Sequence, residues 1–384
     1  MGQDKVRAAV LREFGQLRME EFPYPAELEP GSLIVEMLLA GICGTDKHIY
    51  DGKADVQLPL ILGHENLARV EHLSTENPPC DAYGEPLQVG DRITWFGAIP
   101  CGKCWYCKWL PDNHTGILCS DCFATGLTTC APAPHLFGGY AEKVYLKPGM
   151  WIWKIPDDMP DEVAVLTDIL GSVSGVIKAM TPDPVTKEGF GPGDYVVIQG
   201  AGPIGLAAGI TAKLAGAYRI AFIGAPQERL DLAAGLGIFD HFINIDEMPD
   251  AHDRVKEIQA WTPGHVGPDL VVDCTGVPDA VPEGLDMVRR GGSFVEIGSF
   301  VETGETSISP FRHLCWKDVR LIGQYGCSPH YYDRALRLLE MGWRQGMPFL
   351  DLVSTYPLEQ AEEAMQAMKD MKGMKIALDM RGSS

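Results

Sequence analysis

Apolar segments in the middle of the chain alternate with longer mixed segments. Residues 227–237 and 279–290 are two of the longer segments, and we interpret them as helices. The apolar runs between such segments, predicted as strands, cover residues 195–199, 220–223, 269–274 and 293–297. Nearly continuous apolar strands that alternate with helices indicate a parallel sheet covered on both faces. The predicted fold class is therefore α/β, with a doubly wound parallel sheet in this region.

The two ends of the chain show a different pattern. Residues 30–40 and 88–96 are short apolar runs bounded by turn residues, which predicts strands in a mostly β first third. Near the other end, helices are predicted over residues 331–343 and 357–371, followed by a strand over residues 375–379.

A glycine-rich turn follows the apolar run at 195–199 and opens an Ala/Leu-rich helix. Its sequence is Gly200-Ala-Gly202-Pro203-Ile204-Gly205. The first glycine permits a sharp turn, the second lets the backbone approach a pyrophosphate, and the third lets the helix lie close to the strand. The helix N-terminus then attracts the phosphates. This turn, including Pro203 and Ile204, is predicted to bind a dinucleotide.

Composition and charge restrict the function classes. The 384 residues are 46% hydrophobic and carry a net charge of -20, which argues against nucleic acid or an anionic membrane as a partner. No apolar run reaches the roughly 18 residues that a membrane span requires. The N-terminal sequence lacks the apolar core of a secretory signal, so a cytoplasmic protein is predicted. The 11 cysteines are then expected to be reduced, and their spacing suggests metal binding.

Four cysteines form the clearest metal-binding pattern. Cys101, Cys104 and Cys107 follow a Cys-x-x-Cys-x-x-Cys spacing, and Cys119 follows after a loop. Four thiolates around one ion are typical of closed, structural zinc sites. Cys122 is a rival fourth ligand, and an iron–sulfur cluster is an alternative to zinc.

A second candidate metal site combines different ligands. Cys43 and His64 lie about twenty residues apart, and Asp46 and Glu65 are close to them in sequence. One thiolate, one imidazole and a carboxylate suit a zinc ion that keeps one coordination position open. The alternative is that each is a packed core residue.

Together these motifs resemble the zinc-dependent medium-chain dehydrogenase/reductase family of alcohol and polyol dehydrogenases. The resemblance covers essentially the whole chain and includes Phe-Gly-Gly-Tyr-Ala-Glu at residues 137–142. It implies a GroES-like, β-rich catalytic domain over residues 1–175 and 320–384, with a structural zinc lobe at about 97–125. A Rossmann domain is inserted at 176–319. Family habit implies a homodimer or homotetramer, with a contact expected near residues 293–299.

The resemblance also implies ligands for a catalytic zinc, the second of two zinc ions per chain. Cys43 and His64 are expected to bind it, Asp46 to orient His64, and Glu65 to enter its coordination shell transiently. Relatives usually have Cys or Glu at the third position, where this sequence offers only Asp168. A helix-capping or solvated aspartate is the alternative interpretation of Asp168.

Zinc beside a nicotinamide cofactor implies NAD(P)-dependent exchange between an alcohol and its aldehyde or ketone. The metal lowers the pKa of the alcohol, and the cofactor takes the hydride. By resemblance, Thr45 receives the alcohol proton and His48 passes it to solvent through the cofactor ribose. An ordinary surface histidine is the alternative for His48.

The choice between NAD and NADP depends on the end of the second strand of the doubly wound region. An acidic residue that binds the ribose hydroxyls is expected there, but the sequence has Gly224. The absence of a carboxylate at Gly224 favours NADP. However, Arg229 would have to reach back to the 2′-phosphate of NADP, and Glu228 would repel that phosphate. Lys375 matches a basic family residue near the pyrophosphate, with a surface lysine as the alternative.

Two other functions are alternatives to a zinc-dependent alcohol dehydrogenase that acts on a small-molecule alcohol or carbonyl substrate. One is a zinc-independent reductase of the same fold, which Cys43, His64 and Asp168 together oppose. The other is a non-catalytic, nucleotide-sensing zinc protein, which the proton-relay residues Thr45 and His48 oppose.

Overall fold

The computed structural model describes residues 5–25, 27–110, 117–183 and 189–382. The chain divides into two compact units. The first contains Met1–Asp168, Cys327–Trp343 and Phe349–Ser384, and the second contains Ile169–Gly326 and Arg344–Pro348. The second unit is thus inserted into the first. The domain boundaries expected after residues 175 and 319 remain a prediction.

The strands and helices follow in chain order. The strands are β1 (Lys5–Glu13), β2 (Gln16–Pro23), β3 (Leu33–Gly41), β4 (Leu60–Ile61), β5 (Glu65–Leu73), β6 (Arg92–Phe96), β7 (Ala98–Ile99), β8 (Phe123–Ala124), β9 (Lys143–Leu146), β10 (Trp151–Lys154), β11 (Tyr195–Gln199), β12 (Arg219–Gly224), β13 (His241–Asn244), β14 (Leu270–Asp273), β15 (Ser293–Glu296), β16 (Arg320–Gly323), β17 (Val353–Pro357) and β18 (Lys375–Asp379). The α-helices are α1 (Gly44–Tyr50), α2 (Trp105–Trp109), α3 (Asp161–Ala164), α4 (Thr167–Ser172), α5 (Ser174–Ala179), α6 (Pro203–Leu214), α7 (Gln227–Ala234), α8 (Ala251–Trp261), α9 (Ala280–Met287), α10 (Pro329–Arg344) and α11 (Ala361–Lys369).

The second unit is built on a parallel sheet with the strand order β13-β12-β11-β14-β15-β16. Each neighbouring pair in this order is parallel. Val197, Phe222 and Val271 on three of these strands have no exposed surface, as expected for strands covered on both faces. Strand order reverses at β11, which is the switch point typical of a Rossmann fold. The predicted doubly wound parallel sheet is confirmed.

The first unit is mostly antiparallel. Its larger sheet has the order β10-β6-β5-β3-β18-β17, with β9 also paired to β3, and β2-β1-β4 forms a second sheet. Strand β18 from the end of the chain pairs with β3, with Ala377 opposite Gly41. The last strand therefore completes a sheet that the first third of the chain begins.

Several predicted boundaries differ from the observed ones. Strands β3 and β6 begin later than expected, because Gly31 and Gly90 adopt φ angles of 84° and 97° in the turns that precede them. Helix α11 starts only at Ala361, because Pro357 is still paired with Asp379 in the β17–β18 ladder.

Strand β15, which lies within the oligomer contact expected near residues 293–299, is an inner strand of the sheet, and the contact itself remains a prediction. Strand β15 pairs with β14 on one side and with β16 on the other. Its main-chain groups are therefore used within the sheet and are not available to a second chain. In the part of the chain that the structure describes, no helix is both long and apolar enough to cross a membrane.

Truncation of a buried side chain in the sheet of the second unit is expected to lower the stability of the protein. Val271 is fully buried among Val197, Leu285 and Phe294. Val271→Ala should lower the free energy of unfolding by about 2 kcal/mol, because it removes two buried methyl groups and leaves a cavity. Urea unfolding followed by circular dichroism measures this change. Val266, which is 56% exposed, supplies the control. Val266→Ala should change the same quantity by less than about 0.5 kcal/mol, and equal losses in both variants would contradict the packing described.

Candidate active site

Three predicted site residues of the first unit come together. One ligand atom each from Cys43, His64 and Glu65 lies within 4.8 Å of the others. Cys43 precedes helix α1, and Glu65 is the first residue of β5. Because β3 pairs with β5 and places Gly41 opposite Glu65, the segments that carry the two metal-binding side chains are held side by side.

A buried carboxylate organises this group. Asp46 has no exposed surface, and its Oδ2 accepts hydrogen bonds from the Cys43 amide (2.9 Å) and the Tyr140 hydroxyl (3.0 Å). Its Oδ1 lies 3.4 Å from Nδ1 of His64. Burial opposes ionisation of Asp46, but His64 and these two hydrogen bonds lower its pKa below the usual value. The contact points the Nδ1 edge of His64 at Asp46, which leaves Nε2 as the nitrogen available to a metal.

The site stabilises positive charge. Burial alone would lower the pKa of His64, but the charges of Asp46 and Cys43 raise it well above the usual value. A divalent cation would satisfy the same electrostatic demand. A thiolate, an imidazole and carboxylates are also the ligand types that zinc prefers in open sites. The residues present therefore fit a zinc ion.

Tyr140 is a site residue that sequence reasoning missed. It reaches Asp46 because glycines on both sides permit close backbone contact. A Cβ on Gly63 would lie 2.5 Å from the Tyr140 ring, and a Cβ on Gly139 would collide with Asn66. The motif at residues 137–142 was visible in the sequence, but it did not indicate which buried group the tyrosine would meet.

The alternative interpretation of Lys375 as a surface lysine is wrong. The residue is 3% exposed, its Nζ forms an ion pair with Glu65, and it donates a 3.0 Å hydrogen bond to the Ile42 carbonyl. Burial opposes its charge, but Glu65 outweighs this effect and raises the pKa of Lys375. The lysine thus balances one of the carboxylates beside the metal-binding group. Its predicted contact with a pyrophosphate remains a prediction.

Asp168 lies near the group without joining its compact ligand set. It is in the first turn of α4 and partly buried. Burial raises the pKa of Asp168 to about 7, the charge of Glu65 adds to the rise, and His64 and Lys375 oppose it. A freely solvated aspartate would not show such a shift. Its role as the third ligand remains a prediction.

The two proposed relay residues lie on helix α1. The Thr45 Oγ1 is 3.7 Å from the Cys43 Sγ. His48 is partly buried, and burial, followed by the charges of Lys47 and Lys53, lowers its pKa. Its imidazole is therefore neutral at pH 7 and able to accept a proton. Among the described residues, its Nδ1 has no hydrogen-bond partner.

The four cysteines of the zinc lobe also come together. The sulfur atoms of Cys101, Cys104, Cys107 and Cys119 lie within 4.8 Å of one another. The sulfur of Cys122 is not in this group, and its side chain is exposed. The structure therefore selects Cys119 over Cys122 as the fourth member.

Backbone amides favour the thiolate at Cys101 and Cys104, whereas burial and the neighbouring sulfurs raise the pKa of Cys107 to about 12. The Cys101 amide donates to the Cys119 Sγ (3.2 Å), and the Cys104 amide donates to the Cys101 Sγ (3.4 Å). Hydrogen bonds from the amides of Cys107 and Ser120 lower the pKa of Cys104 to about 6. A thiolate is the form of cysteine that binds metal, so the four residues fit a closed zinc site.

The glycine turn in the second unit has the expected shape. Gly200 has a φ of 109°, which favours glycine, and Gly202 is the N-cap of helix α6 with Pro203 in the first turn. A Cβ on Gly205 would collide with the Gly200 carbonyl. The first and third glycines are thus required by the backbone. The N-terminus of the helix that Ile204 continues is a suitable anion site.

Gly224 and Arg229 lie beside this turn. A Cβ on Gly224 would lie 2.5 Å from the Ala201 nitrogen, so packing against the turn excludes any side chain, including a carboxylate. Nη1 of Arg229 lies 3.8 Å from the position that a Cβ on Gly202 would take. Arg229 therefore does reach back to the turn, whereas Glu228 is exposed.

Comparisons with known proteins identify the family of the chain. A family model described as "Alcohol dehydrogenase GroES-like domain" matches residues 29–157, and one described as "Zinc-binding dehydrogenase" matches residues 203–341. The 5-exo-hydroxycamphor dehydrogenase of Pseudomonas putida is 32% identical, over 97% of this chain and 98% of its own length. The chain belongs to the zinc-dependent medium-chain dehydrogenase/reductase family. D-arabinitol dehydrogenase 1 of Uromyces fabae is 26% identical over 91% of this chain and 90% of its own length.

A solved structure supports the same assignment. Alcohol dehydrogenase from Thermotoga maritima matches with a TM-score of 0.88 and 29% identity, and the match covers 98% of this chain and 100% of that one. The predicted GroES-like and Rossmann architecture is confirmed. This member of the family is an alcohol dehydrogenase that uses zinc and NAD(P) and acts on a small molecule.

The positions of Cys119 and Cys122 in the zinc lobe lead to different predictions for their serine variants. Cys119→Ser should lower the zinc content from about two ions to about one per chain and lower the thermal stability, because a closed zinc site contributes directly to folding. Mass spectrometry of the metal content and thermal unfolding measure these effects. Cys122→Ser is the matched control and should keep wild-type zinc. Loss of zinc only in the control would assign the fourth ligand to Cys122.

Proposed function

We propose that this dehydrogenase oxidises a secondary alcohol to a ketone, reversibly, at a zinc ion held by Cys43, His64 and Asp168. Glu65 is proposed as a transient ligand and Asp46 as the residue that orients His64. The observation that carries the proposal is the group of Cys43, His64 and Glu65 ligand atoms within 4.8 Å of one another. Unlike the four-cysteine lobe, this group offers one thiolate only, which suits a zinc with an open position.

The bound groups supply the reactive chemistry. A zinc ion held by these residues would supply a Lewis acid that favours the deprotonated alcohol, and a bound nicotinamide would supply the hydride acceptor. The protein's own residues handle the proton. Thr45, two residues after Cys43, accepts the alcohol proton, and His48 takes it onward because its lowered pKa keeps the imidazole neutral.

Asp46 and Tyr140 keep the ligand set in place. The carboxylate fixes the orientation of His64, and the hydroxyl of Tyr140 fixes the carboxylate. Such outer contacts are needed because a metal-bound imidazole must present one nitrogen while its other N–H is held. Both contacts lie within the buried part of the first unit.

The substrate class is drawn from the relatives. One is named for hydroxycamphor, which carries its hydroxyl on a ring carbon, and another for arabinitol, a polyol whose inner hydroxyls are secondary. Secondary alcohols are common to both names. The assembly is proposed to be a homodimer or homotetramer, from the habit of the family.

NADP is the proposed cofactor. Steric exclusion of a carboxylate at Gly224 removes repulsion against a 2′-phosphate, and Arg229 reaches the glycine turn that is proposed to bind the pyrophosphate. Arg229 is partly buried, and its Nε has no hydrogen-bond partner among the described residues, which suits a phosphate. This arrangement supports NADP more strongly than the sequence did, since the distance from Arg229 to the turn was unknown there.

Ligand removal tests the catalytic site. Cys43→Ala and Asp168→Asn should each lower kcat by roughly 1000-fold for secondary alcohols, because Lewis-acid stabilisation is worth several kcal/mol. Both should reduce the zinc content from about two ions to about one per chain. Absorbance of the reduced nicotinamide, with a panel of secondary and primary alcohols, measures the rates. Cys80→Ala, at an exposed cysteine, is the control and should keep wild-type turnover. Full turnover by Cys43→Ala would refute the site.

Cofactor choice is tested at Arg229. Arg229→Ala should lower kcat/KM for NADP by roughly 30-fold and change the value for NAD much less, because a charge-assisted hydrogen bond is worth about 2 kcal/mol. Steady-state kinetics with both nucleotides give the ratio. Arg219→Ala, at the exposed start of β12, should leave the ratio unchanged. A wild-type preference for NAD would rule out NADP.

A further inference from the structure

Two carboxyl groups lie side by side where neighbouring strands of the parallel sheet end. Asp273 is the last residue of β14, Glu296 is the last residue of β15, and the two residues are partners in the strand register. Asp273 has no exposed surface. This is the carboxyl edge of the sheet, where open α/β folds bind their ligands.

Each carboxylate fixes the loop that follows its own strand. Oδ1 of Asp273 accepts hydrogen bonds from the amide (2.8 Å) and the hydroxyl (2.7 Å) of Thr275. Oε1 of Glu296 accepts a 2.9 Å hydrogen bond from the Ser299 amide. The conformation of both loops is therefore coupled to the state of these two side chains.

The same loops are in close backbone contact with each other and with the glycine turn. A Cβ on Gly276 would lie 2.8 Å from the Gly298 carbonyl, so there is no room for a side chain between the loops. A Cβ on Gly200 would lie 3.0 Å from the Cys274 carbonyl carbon. A shift of the loop after β14 would therefore move the turn that is proposed to bind the pyrophosphate. A shift of the loop after β15 would act on that turn through its contact with the first loop.

The remaining carboxylate oxygens need a proton. Oδ2 of Asp273 and Oε2 of Glu296 are buried, and neither has a hydrogen-bond donor among the described residues. Burial, followed by the charge of Glu296 and a hydrogen bond with it, raises the pKa of Asp273 to about 7. Adjacent carboxylates with buried oxygens cannot both ionise at low energetic cost, and this favours a proton on the pair.

The hydrogen-bond donors to the pair that the structure describes are all neutral: the amide and hydroxyl of Thr275 and the amide of Ser299. In the strand register the pair is flanked by the uncharged residues Gln199 and Gly323.

Several ionisable groups on the adjacent elements have other partners or are neutral. The Cys274 thiol is kept protonated, since burial and the two carboxyl groups raise its pKa. Helix α9 packs on β14 and β15. The carboxylates of that helix are Glu283, which forms an ion pair with Arg254 on α8, and Asp286, which lies near Arg312 and His313. Helix α5 packs on β15 and carries Lys178, whose carbonyl accepts a hydrogen bond from Arg320 of β16.

We propose that Asp273 and Glu296 share one proton and act as a positioning pair that holds the loops after β14 and β15 in the form that binds the nicotinamide dinucleotide. The proposal rests on the assignment of the glycine turn as the dinucleotide site. Neither residue is assigned a catalytic role. When the proton is lost, the two adjacent negative charges repel, the loops separate and the dinucleotide binds more weakly.

The direction of the pH effect follows from the raised pKa of Asp273. An ordinary aspartate in the unfolded chain has a pKa of about 3.9, well below that in the folded protein. The contribution of the shared proton to stability is therefore complete below about pH 4 and is lost as the pH rises through about 7. Dinucleotide affinity should fall over the upper part of the same range.

The test compares wild type with Glu296→Gln. The glutamine amide can donate to Oδ2 of Asp273, while its carbonyl still accepts from the Ser299 amide, so the link no longer depends on a proton. The dissociation constant of NADPH or NADH, whichever binds more tightly, is measured by nucleotide fluorescence from about pH 6 to about pH 9. We expect it to rise on the order of tenfold in wild type and less than about twofold in Glu296→Gln. Titration of the nucleotide itself affects both proteins and cancels in their ratio.

The controls separate the possible causes of failure. Glu305→Gln, at an exposed carboxylate, should keep the wild-type pH profile. Thermal unfolding without nucleotide gives a second readout, in which the wild-type melting temperature falls relative to that of Glu296→Gln as the pH rises from about 5 to about 8. Asp273→Asn, whose amide can donate to Glu296, serves the same purpose if Glu296→Gln does not fold.

Parallel pH profiles of wild type and Glu296→Gln, in binding and in melting, would overturn the positioning proposal. Failure of wild type to bind either nucleotide at any pH would instead overturn the assignment of the dinucleotide site. In that case the melting experiment would still decide whether the two carboxyl groups share a proton.

Discussion

The contact between the buried carboxylate of Asp46 and the His64 imidazole is the constraint on which the candidate active site depends. Asp46 is also bonded to the Cys43 amide and the Tyr140 hydroxyl, so one side chain joins helix α1, the start of β5 and the loop before β9. A carboxylate with no exposed surface is tolerated only when such partners replace water. The arrangement of the ligands thus follows from the requirement to satisfy this charge.

Charge balance around the site has a second component. Glu65 is paired with Lys375, which would otherwise be a buried, unpaired cation, and Gly41 leaves the space that both side chains occupy. Asp168 lies in the same field, and burial together with the charge of Glu65 raises its pKa to about 7, although His64 and Lys375 oppose the rise. A group of acidic ligands whose negative charge is only partly balanced by neighbouring cations is suited to a divalent metal ion.

In the second unit, the glycine turn is organised by close backbone contacts, as the candidate active site of the first unit is organised by buried charge. Gly200, Gly205 and Gly224 each occupy a position where a side chain would strike the main chain, so the turn can approach a ligand closely. Excluding a side chain at Gly224 also removes the usual acidic contact to the ribose. One steric requirement therefore shapes the proposed phosphate site and bears on the proposed choice of cofactor. Asp273 and Glu296 each hold the loop that follows their own strand.

The sequence by itself determined the parallel sheet, the glycine turn, the four-cysteine lobe and the pairing of Cys43 with His64, because these depend on local periodicity and spacing. Only the tertiary structure decided that Cys119 and not Cys122 joins the cluster, that Lys375 is buried against Glu65, that Arg229 reaches the turn, and that Tyr140 supports Asp46. It also placed β15 inside the sheet and not at its edge. Each of these depends on contacts between residues far apart in the chain or on side-chain reach, which no local pattern encodes.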